Sequence, residues 1–334
     1  MAASSNPSVD RGTFVPQKLR RLYQANLVAQ IGIVVTGGIV RLTGSGLGCP
    51  TWPECVDGSI TPTSVQDEST LAKAVEFGNR LLTFVLAALA IAAVIATIVW
   101  LRRQRDRMSA RRRGLLALSA IPLVGTVIQA VVGGITVLTG LSPYAVAAHF
   151  LISIAIIAGT VVLVVESGPG RILLPTPLPA LVRILGIAMA VTSAVVVVLG
   201  VIVTGSGPHS GDAGVDSRFP IDPRLISWLH ADAVWLFLGL LAGLIVALHV
   251  LRAPRLLTKR VWILGGISLA QGFIGYVQYF TGLPWVAVAF HMLGACLVWA
   301  TTVWVLLGLL RSDSGAATKR TGRQQQPETA ARDT

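Results

Sequence analysis

Charge is what this chain lacks most. Only 13% of its 334 residues are Asp, Glu, Lys or Arg, against about 25% in a soluble globular domain. With 53% hydrophobic residues, a soluble fold of this size has nowhere to hide its long apolar runs. Cysteine is scarce as well, at three residues. That excludes a disulfide-stapled scaffold and a thiolate-rich metal protein. Histidine occurs five times, so each position carries information.

What the sequence has instead is eight apolar stretches, near residues 22–42, 78–101, 115–139, 144–166, 180–203, 226–251, 261–281 and 285–310. Each is long enough to cross a bilayer as a helix, which takes roughly 20 apolar residues. The first run is too long for the apolar core of a cleavable signal peptide and leads into a glycine-rich loop, so it reads as a retained span. The expected fold is an all-α membrane protein.

A formal charge of +12 would suit a nucleic-acid partner if it were gathered on one face. It is distributed by loop instead. Arg11, Lys18, Arg20 and Arg21 precede the first span. Seven arginines from Arg102 to Arg113 follow the second. Arg171 and Arg183 flank the loop after the fourth. Arg252, Arg255, Lys259 and Arg260 follow the sixth, and five more basic residues follow the eighth. These alternate loops hold 22 of the 27 basic residues, which makes their side, and both termini, cytoplasmic. No nucleic-acid partner is implied. The polar tail, with Gln324, Gln325 and Gln326 in a row, is expected to be disordered.

Two segments repeat. Gln129-Ala-Val-Val-Gly-Gly-Ile-Thr-Val-Leu-Thr-Gly-Leu-Ser-Pro143 aligns with Gln271-Gly-Phe-Ile-Gly-Tyr-Val-Gln-Tyr-Phe-Thr-Gly-Leu-Pro284, and each is followed by a histidine, His149 or His291, 20 residues after its glutamine. Leu42-Thr43-Gly44-Ser45-Gly46 likewise matches Val203-Thr204-Gly205-Ser206-Gly207. Spans 1–4 and 5–8 thus read as two tandem copies in the same orientation, a parallel repeat, each a four-helix bundle. The chain divides into an N-terminal segment (1–21), a first half (22–166), a linker (167–179), a second half (180–310) and a tail (311–334).

Polar residues inside a membrane are costly and point to function. His149 and His291 hold the same repeat position, roughly 7–10 Å below the outer helix ends. His230 lies near the outer start of span 6, and its repeat partner in span 2 is Asn79. The second half therefore offers two histidines from facing helices at matched depth, an axial pair for haem iron in an apolar bundle. The first half offers His149 and an asparagine. His209, in an outer loop, and His249, at an inner helix end, read as non-ligands. Glu76, Asn79 and Arg80 share one helix face by their i, i+3, i+4 spacing, near the outer end of span 2, where water can solvate the carboxylate. Arg41 ends span 1 at the same level, and arginines there suit haem propionates. Asp232 lies off the His230 face, where it can reach interfacial water. Cys49 and Cys55 share an outer loop in which a disulfide can persist. Two free thiols and a metal pair are the other readings. Cys296, in mid-span, reads as a packing residue.

At this point the chain resembles the haem A synthase family. The resemblance rests on Thr36-Gly-Gly-Ile-Val-Arg-Leu-Thr-Gly-Ser-Gly-Leu-Gly-Cys-Pro50, on Trp52-Pro53, on Glu76-Phe-Gly-Asn-Arg80 and on the two Gln-to-His blocks, and it covers nearly the whole chain. It implies eight helices in two haem-holding halves, and oxidation of a ring methyl of haem O to a formyl group to give haem A. It implies a haem b in the second half with His230 and His291 as axial ligands. In the first half it implies a substrate site with His149, Asn79, Arg80 and Arg41, and Glu76 as the catalytic residue. It implies a paired Cys49 and Cys55. Its partners would be a haem O synthase as donor, the cytochrome oxidase assembly machinery and a membrane electron donor; a homo-oligomer is compatible with it. The cell membrane is the implied location. The family carries histidine where this chain has Asn79, and asparagine is a poor iron ligand, so a coordination position is left open. The second outer loop also lacks the family's further cysteines.

Two rivals come from other classes. A dihaem b electron carrier linked to quinone explains the histidines but gives Glu76 and the cysteine pair no task. A repeat transporter predicts broken helices at mid-membrane, whereas the polar residues here cluster near the outer surface.

Overall fold

A computed structural model describes residues 15–63, 69–103, 110–168, 173–174, 178–208, 218–311 and 313–314. Eight long helices account for nearly all of it: α1 (Gln17–Leu42), α2 (Thr70–Arg102), α3 (Ala110–Leu138), α4 (Pro143–Glu166), α5 (Ala180–Ser206), α6 (Pro223–Val250), α7 (Arg255–Phe280) and α8 (Trp285–Leu310). All eight are long and apolar enough to cross a membrane. Their outward surfaces carry large apolar side chains such as Val28, Phe84, Trp235, Leu269 and Phe273. In water that surface would be untenable; against lipid it is the expected exterior. The chain is a multi-pass membrane protein.

The helices run past the apolar windows at several ends. The largest difference is in α2, which starts at Thr70 because the Ser69 side chain caps it, accepting from the Ala72 amide at 3.1 Å. A polar cap lies outside any hydropathy window, so the extra turns were invisible to it. Eight crossings leave the start of α1 and the end of α8 on one side; the opposite side is called outer below.

Packing runs in two closed rings. α1 contacts α2, α2 contacts α3, α3 contacts α4 and α4 returns to α1; α5 to α8 close in the same order. In each ring the second and fourth helices are therefore diagonal across the core. The rings meet where α8 packs on α4 and α1, and α4 on α5. That wall buries Val34, Ile154, Ile157, Val161, Cys296 and Val303, and the Trp299 indole donates to the Ile154 carbonyl at 2.9 Å. Cys296 is a buried free thiol in this wall. On the side of the termini, Glu166 and Arg311 pair across the rings, and Leu173–Leu174 pairs in parallel with Asp313–Ser314, at the start of the tail.

Two turns explain the matched 20-residue spacing. After α3, Gly140 and Leu141 both take positive φ (59° and 57°); after α7, Gly282 and Leu283 do the same (78° and 60°). In each case the leucine amide bonds back to a carbonyl five residues earlier, Thr136 or Gln278, at 2.8 Å. This is the glycine-dependent helix stop in which the last carbonyls are satisfied by a left-handed turn. A leucine at positive φ is uncommon, so its occurrence twice at matched positions is a strong local likeness. The turn folds the histidine helix back onto the glutamine helix. Gln129 then donates to the His149 carbonyl at 2.9 Å, and Gln271 to the His291 carbonyl at 2.8 Å.

Candidate haem sites and the outer clamp

The three intramembrane histidines lie at one depth. His149 follows the start of α4 by six residues, His291 follows that of α8 by six and His230 follows that of α6 by seven, or roughly 9–11 Å along the axis. His230 and His291 are on the diagonal helices of the second ring and are electrostatic neighbours. His149 has Asn79 on the diagonal helix α2.

Sequence reasoning missed what these side chains rest on. Each meets a glycine on the preceding helix of its own hairpin. A Cβ on Gly133 would stand 3.3 Å from Cε1 of His149, one on Gly200 3.2 Å from that of His230, and one on Gly275 3.1 Å from that of His291. A Cβ on Gly37 would stand 3.7 Å from Nδ2 of Asn79. The glycines admit the ring against the neighbouring backbone. There the His230 imidazole lies beside the Val196 carbonyl and that of His291 beside the Gln271 carbonyl, each four residues before its glycine. The Nδ1 atoms are buried with no hydrogen-bond partner. An Nδ1–H directed at a carbonyl leaves Nε2 as the free donor, the arrangement that orients a metal-binding histidine. The residues present fit two axial bonds to a haem iron in the second ring and one in the first. The signal in the sequence was a glycine 16 residues before His149 and His291, inside the repeat block but not read as a seat.

Above the first ring the outer loop is locked down. Cys49 and Cys55 form a disulfide. Glu76, only 4% exposed, accepts from the Cys49 amide through Oε2 at 2.7 Å. Its Oε1 pairs with Arg80 at 2.7 Å. Nε of Arg80 donates to the same oxygen at 3.2 Å, and Nη1 and Nη2 reach the carbonyls of Cys49, Thr51 and Glu54, at 2.6 to 3.1 Å. Two expectations change here. Glu76 is not a solvated carboxylate, because the loop folds over it and uses both of its oxygens. Arg80 is not free for a propionate, because all five of its N–H donors point at Glu76 and the loop. The indole of Trp52, in the same loop, packs where Gly134 lacks a side chain. The loop thus spans from α1 and α2 to α3, over the outer end of the first ring.

Arg41 differs from Arg80. Its Nε is buried with no hydrogen-bond partner. It follows Gly37 by one helical turn, so it shares the face that looks at Asn79. His249 lies at the inner end of α6, where Nδ1 meets the Ile245 carbonyl at 2.8 Å and the ring meets Trp262 edge-on. Asp232 is exposed. His209 lies outside the described residues.

Residues 20–224 match the cytochrome oxidase assembly protein family, COX15-CtaA. Among curated proteins, the chain is 30% identical over 140 residues to a protein of Lysinibacillus sphaericus named heme A synthase, covering 42% of this chain and 41% of that one. It is 29% identical over 150 residues to one of the same name from Alkalihalophilus pseudofirmus, covering 44% and 46%. A third, from Listeria innocua, is 30% identical over 149 residues, covering 44% and 45%. The matches span less than half the length of these relatives. The family match covers more than half of this chain, and with it the first ring, its clamp and the start of the second ring; the chain belongs to the cytochrome oxidase assembly protein family.

Proposed function

We propose that the chain is a haem A synthase: it oxidises a ring methyl of haem O to a formyl group, supplying haem A for cytochrome oxidase. The observation that carries this reading is the set of seated residues. Three half-buried imidazoles and one amide, each on a glycine of its own hairpin, lie at one depth in two rings. One half would thus offer a haem iron two imidazoles and the other half one.

In the second half, His230 and His291 would hold a haem b. When bound, that haem supplies one-electron redox chemistry, which side chains alone do not provide. In the first half, His149 anchors the substrate through its iron. Arg41, buried and unpaired at Nε, takes a propionate. The clamped loop closes the outer mouth and excludes bulk water. Two oxygenations, each inserting one atom of a dioxygen into the methyl while the other leaves as water with two protons and two electrons from the donor, give a gem-diol, which loses water to leave the aldehyde. Glu76, which accepts twice from Arg80 through Oε1 and from the Cys49 amide through Oε2, is the carboxylate that takes a proton leaving the substrate. The basic loops favour the cytoplasmic side for both termini. The upstream partner is a haem O synthase, and the electrons come from a membrane donor.

The test is direct. The protein is expressed in a host that makes haem O but no haem A, and the extracted haems are separated. Haem A in the extract is the expected result. Bound haem b without haem A would instead support an electron carrier.

A further inference from the structure

One of the four seats is built differently. The residue before the seat glycine is Val132, Leu199 or Ile274 in three hairpins, but Thr36 in α1. The Thr36 hydroxyl donates to Oδ1 of Asn79 at 2.8 Å. It also lies 3.3 Å from the Ile33 carbonyl. Ile33 stands four residues before Gly37, as Val196 and Gln271 stand before Gly200 and Gly275. The carbonyl that backs an imidazole elsewhere is met here by a hydroxyl, and the hydroxyl is turned on an amide. With Oδ1 engaged, the Nδ2 donors of Asn79 have no hydrogen-bond partner among the described residues.

We propose that Asn79 and Thr36 form a polar site opposite His149 that takes one small oxygen ligand of the substrate iron, water or dioxygen, in place of a second axial base. The proposal rests on the haem A synthase reading and deepens it. Asn79 is on the helix diagonal to that of His149, so a haem held by His149 presents its other face to α2. An amide binds iron poorly but donates well to an oxygen atom. Thr36 fixes which end of the amide is offered. Donors and access on that face decide whether a haem takes an oxygen ligand or only passes electrons. The second half, with imidazoles on both diagonal helices, has no such face. Thr36 and Asn79 therefore divide the labour between two otherwise similar halves.

The experiment uses the full chain purified with haem O from the same host. Carbon monoxide is added to the reduced protein and its stretching band is read by infrared spectroscopy. The first-half haem should bind carbon monoxide, and the second-half haem should stay low-spin and inert. Asn79→Leu should shift the band and speed carbon monoxide loss about tenfold, the worth of one good hydrogen bond. Thr36→Val keeps the amide and should shift the band the same way by less. Asn79→His should give a low-spin iron that no longer takes carbon monoxide. An oxygenated optical spectrum on mixing reduced protein with dioxygen assigns the site to dioxygen. Broadening of the ferric high-spin signal by oxygen-17 water assigns it to water. If neither appears, or if the band is unmoved in both Asn79→Leu and Thr36→Val, the proposal is wrong although haem is bound. A low-spin first-half haem in the unmodified chain overturns it equally. A first half that takes up no haem removes the parent reading as well.

Discussion

An imidazole cannot reach the backbone of a neighbouring helix past a Cβ. That is the reason for Gly133, Gly200 and Gly275, and it makes them sensitive positions. Gly275→Ala places a methyl 3.1 Å from Cε1 of His291, closer than ordinary contact, and His291 has Gln271 fixed to its carbonyl. The ring must shift by a few tenths of an ångström, off the Gln271 carbonyl. Alanine is also the better helix former, by about 1 kcal/mol, so the helix itself is not harmed. The expected result is weaker haem retention in the second half, by roughly 10–100-fold as for other groups that orient metal ligands, together with a moved reduction potential. Gly272→Ala is the control, since nothing lies within 4 Å of its Cβ position. Equal retention and potential in the two variants would show that the seat is only a packing gap. The histidines themselves were legible because charge-capable groups are rare in such a chain. Their seats were not, because glycine is abundant, at 34 residues, and only the folded hairpin shows which ones face a ring.

The outer loop and the first turns of α2 act as one element. Loop carbonyls and the Cys49 amide converge on a single i, i+4 ion pair whose carboxylate is almost out of solvent. Taking the charge from Glu76 leaves the Arg80 guanidinium half-paired beneath the loop, which costs about 1–3 kcal/mol for an unsatisfied buried group. Glu76→Gln should therefore loosen the loop and expose the Cys49–Cys55 bond. Reduction by a water-soluble phosphine, followed by thiol labelling and mass spectrometry, should run about tenfold faster than in the parent chain. Arg80→Lys should do the same, because one ammonium cannot replace five donors in a fixed fork. Unchanged reduction rates in both variants would mean that the loop is held by its other contacts, such as Trp52 on Gly134. The spacing of Glu76 and Arg80 gave away their shared face. It could not say that the face is covered, since burial by a loop depends on contacts made 26 to 31 residues away.

At the scale of the molecule, the two rings touch along one wall but do not share their candidate sites. Each site residue and its glycine lie within one hairpin, and each diagonal pair lies within one ring. Eight spans and the paired Gln-to-His blocks were legible because hydropathy and short motifs are local. The ring closure, and α8 as the helix that joins the halves, were not, since nothing in an apolar surface names its partner. The residues that follow the two matched histidines, Phe150 and Met292, belong to that wall, and a Cβ on Gly38 of α1 would collide with Met292. The wall is thus tightly packed, yet it holds no site residue. It follows that emptying one ring should leave the other intact. In His149→Ala the first ring loses its only imidazole, and the protein should carry one haem fewer per chain. The backing of His230 by Gly200 and of His291 by Gly275 is untouched. The low-spin electron paramagnetic resonance signal of the second half should therefore keep its position and its intensity per chain. His291→Ala should do the converse, removing the low-spin signal while the first half still takes up haem O. If either substitution erases both haems in a chain that still inserts and purifies as well as its parent, then the wall couples the rings and they form one site instead of two.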